Sequence, residues 1–108
     1  MMRRWPRYGV VKVAISSGWH ALIYERRDES GHGRCASLYH GGIEVMRCDL
    51  FDPAHVHTRQ APSRRYYPVG LTLEGYADLA LADMRSVCSM SARKAMAIRD
   101  AIVSYSSS

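Results

Sequence analysis

Val10-Val11-Lys12-Val13-Ala14-Ile15, then Ser16-Ser17-Gly18, then Trp19-His20-Ala21-Leu22-Ile23-Tyr24-Glu25 is the stretch on which the fold turns. Two runs rich in β-branched and aromatic residues flank a short turn signal. A connection that short cannot carry a parallel crossover, so the two runs must pair antiparallel. The same grammar continues down the chain. Asp28-Glu29-Ser30-Gly31-His32-Gly33 is a polar, glycine-bearing loop, and Arg34 to Tyr39 is a third strand. His40-Gly41-Gly42 signals a tight turn. Ile43 to Phe51 is a fourth strand, with Ile43 and Val45 on one face and Met46, Cys48 and Leu50 on the other. Asp52-Pro53 breaks it, and residues 54–59 form a fifth strand.

After an irregular connection over residues 60–70, which holds Pro62 and Pro68, the period of the apolar residues changes. Thr72 can cap a helix starting at Leu73. Leu73, Tyr76, Ala80, Met84 and Val87 then recur at helical spacing. Ser89 or Ser91 starts a second helix, whose stripe is Ala95, Ile98, Ile102 and Tyr105. Met84, Met90 and Met96 are expected to fill the helix core. The fold class that follows is α+β. A four- to five-stranded antiparallel meander over residues 9–59 is followed by a helical hairpin over 72–105, packed on one sheet face. The opposite face is left open to solvent, as antiparallel sheets allow.

With 108 residues, the chain is sized for a single domain. Its 47% hydrophobic and 23% charged residues exclude collagen, a disordered chain and a disulfide scaffold. Lys and Arg number 15 against 10 Asp and Glu, a formal net charge of +5, and most of the cations are Arg. Arg suits bidentate contact with phosphate or carboxylate. Cys35, Cys48 and Cys88 show no CxxC spacing, which argues against a zinc ribbon or paired disulfides. They are expected as small buried residues in a reducing, cytoplasmic setting. The N-terminal Met1-Met2-Arg3-Arg4-Trp5-Pro6-Arg7 lacks an apolar segment after its charges, so no signal peptide is expected. No apolar run approaches the roughly 18 residues of a membrane span. No dinucleotide, P-loop or serine-hydrolase motif is present.

The sharpest constellation is Arg47-Cys48-Asp49 followed by His55-Val56-His57-Thr58-Arg59. On a strand, His55, His57 and Arg59 share a face, as do Arg47 and Asp49 on the strand before. Antiparallel pairing would let the two sets meet. Three readings compete. In the first, the patch acts on a phosphodiester: His55 and His57 are general acid and base, Asp49 orients a ring, and Arg47 and Arg59 hold the phosphate. In the second, the His-x-His segment binds a divalent metal, with Asp49, Asp52 or His20 as third ligand. In the third, the histidines are solvent-facing and merely pair with carboxylates. Arg64-Arg65-Tyr66-Tyr67 sets two cations beside two aromatics, a combination suited to single-stranded nucleic acid, or else a tyrosine-anchored loop. Trp5 and Tyr8 beside Arg3, Arg4 and Arg7 invite the same reading.

Through Arg47, Asp49, His55 and His57, and through the order of meander, His-rich segment and Leu-Glu-x-Tyr helix over residues 34–88, the chain resembles the TumE-family toxins of bacterial toxin–antitoxin systems. Cys48 stands where that pattern has an aromatic, and Leu50 where it has Asn. The resemblance implies an intracellular toxin directed at nucleic acid and held by an antitoxin partner. The expected function is a small cytosolic protein of a toxin–antitoxin or mobile-element system. It would bind or cleave RNA or DNA through His55, His57, Asp49, Arg47, Arg59, Arg64, Arg65 and Tyr66. The competing class is a non-enzymatic inhibitor or adaptor, such as a phage protein blocking a host defence complex. Salt-sensitive retention of nucleic acid would separate the two.

Overall fold

The computed structural model describes residues 7–28, 31–50, 57–60 and 63–105. Within them the order is β1 (Arg7–Ser16), β2 (Trp19–Asp28), β3 (Gly31–His40), β4 (Ile43–Asp49), β5 (His57–Gln60), β6 (Ser63–Tyr66), α1 (Leu73–Val87) and α2 (Ala92–Ser104). The strands form one sheet in the order β1-β2-β3-β4-β5-β6, and every neighbouring pair is antiparallel. The protein is therefore an α+β meander followed by two helices. Four long strands carry the core, and two strands of four residues extend the sheet.

Two segments differ from expectation. β6 lies inside the segment read as an irregular connection. Its residues pair with β5 from Gln60↔Ser63 to His57↔Tyr66, and Pro68 lies just beyond its end. Likewise, β2 and β3 stay paired to Asp28↔Gly31, so most of the expected polar loop is strand. A continuous ladder with a long partner outweighs the poor strand preference of Gly31 and Gly33. Gly41 and Gly42 behave as their turn signal indicates. Their φ values of 58° and 81° are those of a type I′ hairpin turn, which L side chains resist.

Alternation along the central strands splits the sheet into two sides. Ala21, Ile23, Ala36, Leu38, Met46 and Cys48 form one core with Tyr76, Ala77, Ala80 and Met84 of α1 and Ile98 and Ile102 of α2. Thr72 caps α1 by accepting from the Gly75 N–H at 3.1 Å, and Ser91 caps α2 by accepting from Lys94 at 3.1 Å. Val87 and Met96 miss the core, at 37% and 55% exposed. Met96 follows the buried Ala95 by one residue, a rotation of about 100° that turns it away from the stripe.

Arg34 fastens the end of α2 to the sheet. Its Nη1 donates to the Ile102 carbonyl at 2.7 Å and its Nη2 to the Tyr105 carbonyl at 3.1 Å. The guanidinium also lies 5.5 Å from the Tyr105 ring centroid. It thus satisfies carbonyls left without helical partners and sets a cation at the negative end of the helix dipole. Arg34→Ala is expected to cost about 2 kcal/mol by chemical denaturation. Arg34→Lys should recover only part of that, because an ammonium lacks the fork that spans two carbonyls. An unchanged midpoint in Arg34→Ala would remove this role.

Candidate nucleic-acid interface

The face away from the helices is not open at its centre. Tyr24, Cys35, Ser37 and Asp49 alternate with the helix-side core residues, and all four are buried. They form a polar layer. The Tyr24 hydroxyl and the Ser37 hydroxyl are hydrogen-bonded at 2.7 Å. The Cys35 thiol donates to Asp49 Oδ1 at 3.2 Å. Burial and the Asp49 carboxylate push that thiol far above its ordinary pKa, so it is a neutral donor and not a nucleophile.

Asp49 also holds two guanidiniums. Arg26 Nη1 donates to its Oδ1 at 3.4 Å, and Arg47 Nε lies 2.9 Å from the same oxygen. The Arg47 contact is an ion pair and not an aligned hydrogen bond. Burial opposes the Arg47 charge, the carboxylate more than offsets this, and the net shift is upward. Arg26 is absent from the sequence expectations because it reaches Asp49 diagonally, across β3. Its own partner there is Gly33. The signal was an Arg facing a glycine in the β2–β3 hairpin, and only the register makes it legible.

The register assembles most of the expected site. Arg47 pairs with Arg59, and Arg59 with Arg64. Two residues along, Asp49 pairs with His57, and His57 with Tyr66. These two rows lie about 7 Å apart. Arg65 falls outside them: it pairs with Thr58, which pairs with Cys48, a member of the helix-side core. His55 and Asp52 lie outside the described residues, as do Arg3, Arg4 and Trp5. His20 stands far from His57. It is four residues from Tyr24 along β2, at about 13 Å, and stacks on Tyr39 with ring centroids 5.2 Å apart. Burial, with a contribution from Lys12, lowers its pKa and favours the neutral ring. Among the described residues, no group of three or more His, Cys, Asp or Glu could hold a metal ion.

The Arg64-Arg65-Tyr66-Tyr67 run divides its work. Tyr67 is 4% exposed, and its hydroxyl donates to Asp83 Oδ2 at 2.5 Å, so it anchors the chain to α1. Tyr66 is 54% exposed.

No family model, curated protein or solved structure matches the chain. Three successive strands each place an Arg at one level, and like charges directly opposite one another destabilise a sheet. Asp49, the buried carboxylate beside that row, is already shared by Arg26 and Arg47. Among the described residues, no helix is long and apolar enough to cross a membrane.

Proposed function

We propose that this protein binds nucleic acid by its phosphate backbone, on the face that carries Arg47, Arg59 and Arg64. The observation behind this reading is the unbroken row of Arg on three neighbouring strands. Strands are spaced about 4.8 Å apart, so the row is a line of cationic positions roughly 10 Å long. A polyanion can answer all three charges at once, and phosphate matches the guanidinium fork. Phosphate contacts give affinity without sequence choice. The net charge of +5 works in the same direction, drawing polyanions to the surface.

The test is fluorescence anisotropy with labelled RNA and DNA oligonucleotides across a salt series. Three neutralised phosphates on a single strand should give a slope of log K against log salt near −2, at about 0.7 per contact. No binding at about 50 mM salt, the low end of the usual titration range, would reject the reading. Salt-insensitive retention of a protein partner would then favour the inhibitor or adaptor class. The same samples run on a denaturing gel, with and without EDTA, report cleavage. Cut product would extend the binding face to a nuclease, and His57, opposite Asp49 in register, would be the first residue to replace.

A further inference from the structure

We infer that the face selects single-stranded over double-stranded nucleic acid, with Tyr66 as the platform on which an unpaired base stacks. This rests on the phosphate-binding reading and adds the substrate class to it.

The geometry starts from the edge of the sheet. β6 is the last strand in the sheet order, and Tyr66 is its last residue. Its backbone partner is His57, in the row adjacent to Arg47, Arg59 and Arg64. An aromatic residue therefore stands one row, about 7 Å, from a line of cationic positions. Tyr67 anchors this segment through Asp83 and through Cys48, whose sulfur lies 3.7 Å from its hydroxyl. Tyr66 is not part of the helix-side core, and more than half of it is exposed.

The chain just beyond it strengthens the point. Val69 is 69% exposed and Leu71 is 41% exposed. Three large side chains within six residues thus reach solvent. Tyr66 thus offers an exposed ring one row from the line of cationic positions. Bases in a duplex already stack on each other and present only phosphates and groove edges. An unpaired base can leave its neighbours and lay its face on an aromatic ring. Charge alone predicts the reverse preference, because duplex DNA carries more phosphates per unit length. Single-strand selection is therefore the outcome that separates an aromatic platform from a merely basic surface.

The experiment compares oligo-dT and oligo-U of about 12 nucleotides, within the usual site sizes, with a DNA duplex of equal length. Wild-type protein should bind the single strands about tenfold more tightly than the duplex at equal salt. Tyr66→Ala should weaken single-strand binding roughly tenfold and leave duplex binding and the salt slope unchanged. Tyr66→Trp should keep or tighten single-strand binding, and it keeps the test usable if the alanine variant folds poorly. Duplex binding equal to or tighter than single-strand binding would overturn the inference. So would a Tyr66→Ala effect that is absent, or that is equal on both probes. Failure of wild-type protein to bind either probe would instead reject the underlying phosphate-binding reading.

Discussion

Asp49→Ala is expected to be the most damaging single substitution on the sheet, costing about 3–5 kcal/mol of stability. One carboxylate, 6% exposed, balances two guanidiniums that are 11% and 17% exposed. Removing it strands both cations in a poorly hydrated layer and removes the acceptor of the Cys35 thiol. At about 4 °C per kcal/mol for a domain of this size, the melting temperature should fall by roughly 15 °C. Asp49→Asn should be intermediate, since an amide still accepts hydrogen bonds but brings no charge. Arg26→Met should be far milder, at about 1 kcal/mol, because it leaves Arg47 and Asp49 as a neutral pair. The asymmetry is the critical result. Urea denaturation of the three variants reads it directly. Equal losses for Asp49→Ala and Arg26→Met would show that the layer is held by packing and not by charge balance.

The contrast between Arg26 and Thr72 shows what could be read in the sequence and what could not. Thr72 announces α1 locally: a capping residue precedes an apolar stripe of period 3.6, and the structure forms the cap it implies. The first four strands were legible for the same reason, because β-branched runs between glycine turns need no knowledge of distant partners, whereas Ser63–Tyr66 has no such run and was missed. The candidate site is different in kind. Pairing Arg47 with Arg59 and Asp49 with His57 required the strand after Asp52-Pro53 to return in one particular register. The same-face spacing anticipated that pairing but could not fix it. Arg26 lies 23 residues from Asp49 in sequence and meets it only through the register of the strands between them. The buried second face was hidden for a related reason. Tyr24, Ser37 and Asp49 look like solvent-facing residues in an alternating pattern, and only their mutual hydrogen bonds and ion pairs make their burial tolerable.

Double replacement of Arg59 and Arg64 by alanine should separate binding from folding. Each lost phosphate contact is worth about 1.4 kcal/mol, so affinity for a single-stranded probe should drop on the order of a hundredfold. The salt slope should become shallower by about 1.4, at roughly 0.7 per contact. Stability should move the other way or not at all. Arg59 and Arg64 are direct cross-strand partners, and relieving a like-charge pair returns about 0.2–1 kcal/mol. Arg47 is left in place because Asp49 is ion-paired to it and its loss would confound the comparison. A structural role for Arg59 and Arg64 makes the opposite forecast, a destabilised protein whose weaker binding merely follows unfolding. Thermal denaturation beside the anisotropy titration distinguishes the two. Intact binding in the double variant would move the phosphate contacts off this row. A melting temperature lowered by more than about 4 °C, or 1 kcal/mol, would recast these Arg as partners of the fold.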